Sequence, residues 1–490
     1  MKLAELLEGL EYECIRGELD KETGKLINDS RKIEEGCVFV CIKGYNFDGH
    51  KAVPEAVEKK AAAVIVSEEV SVPEASKLTV IKVADTREAL ALTSCAYFGH
   101  PSRHLKVIGV TGTKGKTTTT YLIKSILEHT GHKVGLIGTI EVIIGEERFP
   151  ALNTTPESYV IQEYLQKMEE AGIDTVVMEV SSQGLMLKRT DGISFEIGIF
   201  TNIEPDHIGP NEHKDFDEYL YCKSLLFRQC RLGILNADSE YLEDVLKGHT
   251  CSVNTFGIGD KADIRAENIN YVNRNGILGV EFDVSEPVGM HAFISSPGLF
   301  SVYNALCAIA VCSHFEVGPE AIKEALGKAH VKGRIEMVKI SDSYTLMIDY
   351  AHNAMALKSL LTTLKAYCPK RLVCLFGCGG NRAKSRRYEM GEVSGQLADL
   401  TVITSDNPRF EEPLEIIADI KSGIEKTEGR YIEIPDRKEA IRYVIKNAEP
   451  GDLIVLAGKG HEDYQEIKGV KYPMDERVLI AEVVEELKPV

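Results

Sequence analysis

The chain has 490 residues, of which 44% are hydrophobic and 27% charged, and a formal net charge of −18 at pH 7. This length exceeds what one hydrophobic core supports, so we expect roughly two to four domains. The acidic balance disfavours a broad nucleic-acid surface, so we expect no nucleic-acid partner, but small anionic ligands can bind beside local basic residues.

The composition also indicates a reducing, cytoplasmic setting. Most of the 12 cysteines lie inside apolar segments, where cysteine acts as a small core residue. Cys374 and Cys378 have no matching pair of cysteines or histidines, so a zinc site is not expected there. The first residues lack a signal-peptide pattern, and the absence of any run of about 18 apolar residues predicts no membrane insertion.

The first block, residues 1–103, is predicted to be a small α/β domain. Segment 36–42 has the apolar character of a buried strand, residues 52–60 have a helical pattern, and residues 61–66 predict another strand. The turn-forming residues 99–102 are typical of a linker, so we place the first domain boundary there.

The second block, residues 104–332, is predicted to be an ATP-binding domain around a phosphate-binding loop. An apolar strand over 105–110 leads into a glycine-bearing loop, and a helical pattern follows. Backbone N–H groups and the helix dipole at such a loop face a phosphate, while Lys116 can reach the outer phosphates and Thr117 can bind magnesium. The loop consists of Gly112, Thr113, Lys114, Gly115, Lys116, Thr117 and Thr118.

Position 110 departs from the strict phosphate-loop motif, because Val110 stands where that motif has glycine. A structural glycine turn, or a loop for some other anion, is therefore the alternative to nucleotide binding. The strand–loop–helix context favours a nucleotide triphosphate.

Apolar strands alternate with helical segments through the rest of the chain, and the third block, residues 333–490, repeats the pattern independently. This alternation predicts parallel sheets covered on both faces. The predicted fold class is therefore α/β with a smaller N-terminal domain, a central P-loop ATPase-type sheet and a Rossmann-like, doubly wound C-terminal domain. A small β segment is expected at 263–284. The other predicted strands lie at 133–138, 175–180, 195–201, 231–235, 345–348, 371–376, 400–404, 431–434 and 453–456.

Polar clusters follow these apolar strands directly. Since ligands bind at the carboxyl ends of parallel strands, this placement predicts a ligand-binding crevice in each of the two larger domains, with closure around the ligands. The clusters begin at Glu179, Thr201, Asp349, Gly377, Ser405 and Gly458.

Three residues of the central block are considered as partners of a magnesium ion, which prefers oxygen ligands. Glu179 ends a buried strand and is a candidate ligand, with a helix cap or a surface acid as the alternative. His207 lies in a loop, where a lone histidine is more often solvated or capping. Lys223, within a predicted helix over 217–228, has by composition the character of a surface lysine.

In their joint order, these motifs resemble those of the Mur ligases, the cytoplasmic ATP-dependent amino-acid ligases of peptidoglycan synthesis. The resemblance spans the whole chain, although each motif alone is weak. It rests on residues 29–31, 112–117, 153–156, 178–182, 219–223, 349–352, 377–380, 406–409 and 458–462.

The resemblance implies how ATP and Mg²⁺ are held. In this family a lysine at the position of Lys223 is carbamylated by carbon dioxide, which turns a cation into an anion that can support Mg²⁺. Glu179 and His207 match metal ligands, so the implied catalytic set is Lys116, Glu179, His207 and Lys223, with Thr117 as a further metal ligand. Nucleotide contacts are implied for Asn304, Arg334, Asp349 and His352.

The resemblance also implies a first substrate, UDP-N-acetylmuramoyl-L-Ala-D-Glu. Ser30 and the segment 45–50 match the uridine-diphosphate pocket of the first domain. Turn capping is the alternative role of Ser30 and Asn153. Contacts to the muramoyl-dipeptide are implied for Asn153, Thr154, Thr155, Ser181 and Arg189.

The second implied substrate is meso-diaminopimelate. Arginine at position 409 accompanies the family members that add this amino acid, and lysine-adding members differ there. A guanidinium pairs bidentately with the distal carboxylate of meso-diaminopimelate, whereas lysine would leave the charge of the site unpaired. The alternative is a surface turn with a solvated Arg409. The implied contacts are Arg382, Asp406, Asn407, Pro408, Arg409, Gly458 and Glu462.

The implied reaction joins meso-diaminopimelate to the γ-carboxylate of D-Glu through an acyl phosphate, and we expect a monomer. The sequence departs from the usual family pattern at Asn381 and Ala383, which replace aspartates, and at Asn353, which replaces a threonine or serine. Four alternatives stay open. They are an L-lysine-adding ligase, the related folylpolyglutamate synthetase, a P-loop switch without ligation and a non-catalytic binding protein.

Overall fold

The computed structural model of the protein describes residues 1–44, 47–209, 212–274, 276–328 and 331–487. The chain forms two compact units, Met1–Asp263 with Cys307–Val317, and Ile264–Leu306 with Gly318–Val490. Among the helices of the described residues, none is both long and apolar enough to cross a membrane.

Short strands and helices alternate along the first unit. Its strands are β1 (Glu13–Arg16), β2 (Leu26–Ile27), β3 (Val38–Val40), β4 (Ala63–Val66), β5 (Thr79–Lys82), β6 (Lys106–Thr111), β7 (Val134–Ile137), β8 (Glu141–Ile144), β9 (Glu147–Pro150), β10 (Thr175–Glu179), β11 (Phe195–Phe200), β12 (Cys230–Asn236) and β13 (Ser252–Gly257). Its helices are α1 (Leu3–Leu6), α2 (Val53–Glu58), α3 (Thr86–Tyr97), α4 (Lys116–His129), α5 (Ser158–Glu170), α6 (Ser182–Met186), α7 (Phe216–Ser224) and α8 (Leu242–Val245).

The second unit continues the alternation. Its strands are β14 (Ile264–Arg274), β15 (Ile277–Val284), β16 (Met290–Ile294), β17 (Glu336–Met337), β18 (Thr345–Asp349), β19 (Arg371–Phe376), β20 (Leu400–Ile403), β21 (Tyr431–Glu433), β22 (Asp452–Ala457), β23 (Tyr464–Ile467) and β24 (Val470–Pro473). Helix α9 (Leu299–His314) has residues in each unit. The later helices are α10 (Pro319–Lys328), α11 (Ala354–Lys365), α12 (Lys384–Leu397), α13 (Pro413–Ile424), α14 (Arg437–Lys446) and α15 (Glu476–Glu486).

The N-terminal block carries a sheet in the order β1-β5-β4-β3-β2. Strands β2 to β5 run parallel, and β1 pairs antiparallel with β5. Every residue of β3 and β4 is buried, which is typical of parallel strands covered on both faces. The strands predicted within 36–42 and 61–66, and the helix predicted within 52–60, are confirmed.

The central sheet of the first unit has the order β13-β12-β11-β6-β10-β7-β8-β9. Strands β13 to β7 are parallel, and β8 and β9 form an antiparallel hairpin at the edge. Because β6 lies between β10 and β11, the segments after these three strands leave the sheet side by side. Val110 is fully buried in β6 opposite Glu179 in the strand register, so position 110 belongs to the strand and needs no glycine.

The second unit holds a sheet in the order β17-β18-β22-β19-β20-β21, parallel except for β17. Helices α11, α12 and α13 contribute buried residues to one core cluster, and α14 and α15 to another, so the sheet is doubly wound. Strands β14 and β15 form the small β segment predicted at 263–284, and β16 adds a third antiparallel strand beyond it. The α/β fold class is therefore confirmed, while the exact block boundaries at 103 and 332 stay predictions.

Helices α12 and α13 approach each other backbone to backbone through glycine. A Cβ atom added to Gly391 would lie 2.1 Å from the backbone oxygen of Ile420. In the opposite direction, a Cβ atom on Gly423 would lie 2.0 Å from the backbone oxygen of Tyr388. Neither contact can be relieved by rotating a side chain, so the spacing of the two helices depends on these glycines.

The Gly391→Ala substitution should therefore destabilise the protein. We expect the free energy of unfolding to fall by about 1–3 kcal/mol, the usual cost of overpacking a core. Urea unfolding followed by circular dichroism measures this change. Gly327→Ala in α10 is the matched control, because among the described residues no atom beyond its own stretch of helix lies within 4 Å of its added Cβ. It should leave stability unchanged or raise it by up to about 1 kcal/mol. Equal losses in the two variants would contradict the packing argument.

Candidate functional site

The phosphate-binding loop connects β6 to α4, as predicted, and is tied to the segment after β11. Thr113 N donates to Asn202 O at 2.9 Å, and Lys114 N donates to Asn202 Oδ1 at 2.9 Å. Lys114 also forms an ion pair with Glu204 at 2.6 Å. The first turn of α4, which contains Thr118, has N–H groups that a helix leaves without intrahelical partners. These contacts hold the backbone of the loop in place, and the N–H groups at the start of α4 can bind an anion.

Lys116 folds back over this loop. Its Nζ donates to the backbone oxygens of Gly112 at 2.8 Å and Thr113 at 3.2 Å. The side chain is half-buried at the start of α4. A flexible ammonium in this place can turn toward an outer phosphate, which is the role predicted for it.

Lys223 lies beneath the same loop and is only 1% exposed. Its Nζ donates to Gly112 O at 3.0 Å and lies 4.5 Å from the ring centroid of Tyr219. The surface position expected from composition is therefore wrong, because α7 turns Tyr219, Cys222 and Lys223 inward. Burial lowers the pKa of Lys223 well below its usual value, and the positive charge of Lys116 lowers it further.

Glu179 gathers hydroxyl groups at the end of β10. It is 1% exposed and accepts from Thr117 Oγ1 at 3.1 Å, Thr139 Oγ1 at 3.0 Å and Thr139 N at 2.9 Å. Thr139 follows β7 and was missed in the sequence, because a threonine after a strand carries no motif of its own. One carboxylate and two hydroxyl groups are suitable neighbours for Mg²⁺. The Lys223 amine suits a cation only if it carries an anionic group.

Two histidines lie beside Tyr219, and only one was predicted. His207 has a side chain that is 51% exposed, with Nδ1 3.2 Å from Glu212 Oε1. His213 is 1% exposed, and its Nε2 lies 2.9 Å from Ser182 Oγ. Burial lowers the pKa of His213. Its position three residues before the start of α7 gives no sequence signal, so only the fold could identify it.

A pocket in the first unit brings all five predicted dipeptide residues together. Its volume is about 190 Å³, below the roughly 300–1,000 Å³ of sites that enclose a drug-sized ligand, so it has room for only a small ligand or one end of a larger one. The pocket is lined by Lys116, Asn153, Thr154, Thr155, Ser181, Ser182, Gln183, Arg189, His207, Glu212 and His213.

Hydrogen bonds hold the polar wall of this pocket. Thr155 Oγ1 donates to Ser181 Oγ at 3.1 Å, and Ser181 Oγ accepts from Gly184 N at the start of α6. Thr154 lies 3.0 Å from Thr139 through their hydroxyls, whereas Asn153 is exposed. Arg189 donates to Thr155 O at 2.9 Å and pairs with Glu157, while its buried Nε has no partner among the described residues.

The predicted uridine residues lie in the N-terminal block and do not line this pocket. Ser30 is half-buried in a 3₁₀ turn that Asp29 caps. Within segment 45–50, Tyr45 and Asn46 lie outside the described residues. His50 is buried, with Nδ1 2.7 Å from Asp48 and Nε2 accepting from Ser67 N at 3.0 Å, so both ring nitrogens hold the local turn.

In the second unit, a buried lysine connects two predicted motifs at the carboxyl edge of the sheet. Lys459 is 0% exposed, and its Nζ donates to Asn407 Oδ1 at 3.0 Å, Glu462 Oε2 at 2.8 Å and Tyr464 O at 2.6 Å. Burial alone would raise the pKa of Glu462, but Lys459 and Asn407 outweigh it and hold this pKa below its usual value. The sequence motif contained Lys459 without assigning it a role.

The other predicted amino-acid residues lie close by, with one exception. Asp406 Oδ1 is 3.6 Å from Lys459 Nζ, and a Cβ atom on Gly458 would lie 3.0 Å from Asp406 Oδ2. A Cβ atom on Gly380 would lie 1.9 Å from Pro408 O, so the loops after β19 and β20 touch backbone to backbone. The exception is Arg382, which is exposed in the loop before α12, although its Cγ would lie 4.0 Å from a Cβ atom added to Gly379.

Arg409 is fixed at the end of the segment that follows β20. Its Nε pairs with Glu466 Oε2 at 3.0 Å, and its Nη1 donates to Gly380 O at 2.8 Å. The solvated alternative is therefore wrong, because three quarters of the side chain is covered, with 24% exposed.

The predicted nucleotide residues of the second unit have separate local roles. Asn304 is buried in α9, at 6% exposure. Arg334 lies 5.0 Å from the ring centroid of Tyr350, and His352 Nδ1 donates to Tyr350 O at 2.9 Å. Both carboxylate oxygens of Asp349 accept backbone N–H groups, from Ile335 and Ala351.

The structure gives physical reasons for two departures from the family pattern. Asn381 has φ = +52°, a left-handed conformation that asparagine tolerates, and its Oδ1 accepts from Phe410 N at 3.2 Å. Asn353 caps α11 by accepting from Ala356 N at 2.8 Å, as a threonine or serine would. Nothing in the structure explains Ala383.

Comparison with known proteins matches nearly the whole chain. The family models "Mur ligase family, catalytic domain", "Mur ligase middle domain" and "Mur ligase, glutamate ligase domain" match residues 26–98, 110–312 and 333–460. The chain is 43% identical to the UDP-N-acetylmuramoyl-L-alanyl-D-glutamate--2,6-diaminopimelate ligase of Clostridium perfringens, over 99% of this chain and 100% of the relative.

Two solved structures give further comparisons. One, named as a UDP-N-acetylmuramoyl-L-alanyl-D-glutamate--2,6-diaminopimelate ligase, has a TM-score of 0.75 at 28% identity, with 99% of each chain covered. A folylpolyglutamate synthase of Mycobacterium tuberculosis, complexed with ADP and AMPPCP, has a TM-score of 0.59 at 16% identity. It covers 76% of this chain and 92% of its own, so it shares the fold alone.

Replacing Lys459 tests the buried network of the second unit. Lys459→Met should lower the free energy of unfolding by roughly 2–4 kcal/mol, because it leaves the Glu462 carboxylate and the Asn407 amide without their shared donor. Chemical denaturation measures the loss. Lys421→Met is the control, since Lys421 pairs with Glu433 at the surface and should cost less than about 1 kcal/mol. A loss no greater than that of the control would show that the network adds little stability.

Proposed function

The chain belongs to the Mur ligase family, and we propose that it joins meso-diaminopimelate to the γ-carboxylate of D-Glu in UDP-N-acetylmuramoyl-L-Ala-D-Glu, at the expense of ATP. The observation that carries the proposal is the fixed guanidinium of Arg409, in a chain similar along its whole length to a 2,6-diaminopimelate ligase. This reaction belongs to the cytoplasmic synthesis of peptidoglycan precursors.

The first unit suits phosphoryl transfer. The loop before α4 and the first turn of that helix present backbone N–H groups to a triphosphate. Lys116 lies over the loop and can neutralise charge on the phosphoryl group as it transfers. The γ-carboxylate of D-Glu would attack the γ-phosphorus of ATP, which forms an acyl phosphate and releases ADP.

We propose that Thr117, Glu179 and His207 hold Mg²⁺ together with Lys223 as a carbamate. The burial of Lys223 supports the modification, because a lysine with a strongly lowered pKa keeps the uncharged amine that reacts with carbon dioxide. The same burial would be costly for an ammonium next to a metal ion. Bound Mg²⁺ neutralises charge on the phosphates.

The pocket beside Lys116 is proposed to hold the dipeptide end of the first substrate. Hydroxyl groups of Thr154, Thr155 and Ser181 suit peptide and sugar oxygens, and Arg189 suits a carboxylate. Ser30 and segment 45–50 are proposed to contact the uridine diphosphate. The roles of Asn304, Arg334, Asp349 and His352 toward the nucleotide stay predictions from the resemblance.

The second unit suits an amino acid with two charged ends. The Arg409 guanidinium is proposed to pair with the distal carboxylate of meso-diaminopimelate, and Glu462 with its distal ammonium. Asp406, Asn407, Pro408 and Gly458 shape the walls of the same site. Arg382 is exposed, and it is proposed as a further contact to this amino acid. The free amine of the bound amino acid would then attack the acyl phosphate, and phosphate leaves.

A comparison of amine substrates tests the proposed function. Purified protein should release phosphate from ATP only when UDP-N-acetylmuramoyl-L-Ala-D-Glu and meso-diaminopimelate are both present. The kcat/KM for meso-diaminopimelate should exceed that for L-lysine by roughly 10³-fold or more, because lysine has no distal carboxylate to accept from the remaining N–H groups of Arg409. The Arg409→Met variant should lose most of this preference.

Two results would contradict the proposal. Equal use of L-lysine would indicate the lysine-adding ligase. Phosphate release that needs neither substrate would favour a P-loop switch without ligation.

A further inference from the structure

We infer that Glu466 is a positioning residue that fixes the Arg409 guanidinium for the distal carboxylate of the incoming amino acid. The inference rests on the proposed function and deepens it. Glu466 lies on β23, in a hairpin outside the main sheet and beyond every motif on which the family resemblance rests. It is therefore a specificity residue that the fold reveals and the motifs do not.

The hairpin first holds the backbone of Arg409. Arg409 N donates to Glu466 O at 2.9 Å, and Lys468 N donates to Arg409 O at 2.6 Å. Arg409 has φ = +53°, in the left-handed region that is unfavourable for a residue with a Cβ atom. The two backbone hydrogen bonds hold Arg409 in this conformation, so the hairpin sets the direction in which its side chain leaves the main chain.

Two further contacts then fix the guanidinium itself. Nε pairs with Glu466 Oε2 at 3.0 Å, and one Nη1 N–H donates to Gly380 O at 2.8 Å. These contacts lie on different nitrogens and define the orientation of a planar group. No described residue accepts from Nη2, so Nη2 and one N–H of Nη1 remain available to donate to a carboxylate.

The charge of Glu466 supports the same role. The Glu466 and Arg409 side chains are 25% and 24% exposed, so their ion pair is largely shielded from water. Without Glu466, Arg409 would keep one side-chain contact, to Gly380 O, and could rotate about its last bonds. A carboxylate that meets a mobile guanidinium must order it on binding, which weakens the affinity.

The opposite role makes the opposite prediction. Glu466 could instead compete with the substrate carboxylate for Arg409, in which case removing its charge would strengthen binding. The contact at Nε argues against competition, because it leaves Nη2 and one N–H of Nη1 available to the substrate carboxylate.

The test uses the full-length protein and the variants Glu466→Gln and Glu466→Ala. Phosphate release is measured against meso-diaminopimelate concentration, with ATP and UDP-N-acetylmuramoyl-L-Ala-D-Glu saturating. We expect the KM for meso-diaminopimelate to rise about tenfold, as for the loss of one charge-assisted contact. The kcat should change by less than about threefold and the KM for ATP should stay unchanged, since phosphoryl transfer is not touched. A variant that had only lost stability would not show a raised KM for meso-diaminopimelate together with a nearly unchanged kcat and an unchanged KM for ATP.

Two comparisons test whether the effect is specific to the contact between Glu466 and Arg409. Glu433→Gln is the matched control, because Glu433 pairs with Lys421 at 3.0 Å on β21 of the same unit and should leave every constant at the wild-type value. In an Arg409→Ala background, Glu466→Gln should raise the KM no further, since the residue acts through Arg409.

An unchanged KM for meso-diaminopimelate in both Glu466 variants would overturn the inference, and a lowered KM would replace it with competition. Equal effects of Glu466→Gln with and without Arg409 would overturn it as well. All three results leave the proposed function standing, provided that the wild type still requires meso-diaminopimelate. If the wild type released phosphate without this amino acid, both the inference on Glu466 and the proposed function would be contradicted.

Discussion

The burial of Lys223 beneath the phosphate-binding loop is the constraint on which the first site depends. A lysine that is 1% exposed and touches Gly112 O cannot keep its proton at low cost. The same loop holds Lys116, so a second ammonium below it would repel the first. The proposed carbamylation of an uncharged Lys223 would resolve both problems, because it would replace an ammonium by an anionic group that can face Mg²⁺.

Parallel strands bring the remaining groups of each unit into reach of one another. Because β6 lies between β10 and β11, the loop, Glu179 and Asn202 meet at one edge of the central sheet. In the second unit, β19 lies between β20 and β22, which places Gly380, Arg409 and Lys459 at one edge as well. Each site is thus a consequence of strand order, and each has one buried lysine where its loops converge.

The sheets and most of the binding edges could be predicted from the sequence, whereas the burial and the distant contacts of single side chains could not. Continuous apolar runs such as β4 and β22 fix the parallel sheets, and polar residues directly after strands mark the binding edges. The burial of Lys223 was predicted wrongly. Its composition is that of a surface residue, and the sequence of α7 does not show that the phosphate-binding loop packs against this turn of the helix. Thr139, His213 and Glu466 were missed because each acts through a contact distant in sequence.

The central claim, that Lys223 carries a carbamate, can be tested directly by one measurement. In the proposed carbamylation, the uncharged Nζ would attack the carbon of CO₂. The N–C bond would form as one C=O π electron pair moves onto oxygen, and an amine proton would leave to solvent. ¹³C NMR of the protein equilibrated with ¹³C-bicarbonate should therefore show a carbamate carbonyl resonance that is absent from Lys223→Ala and retained in Lys421→Ala. The account would be contradicted if the wild-type spectrum lacked this resonance, or if the resonance persisted in Lys223→Ala.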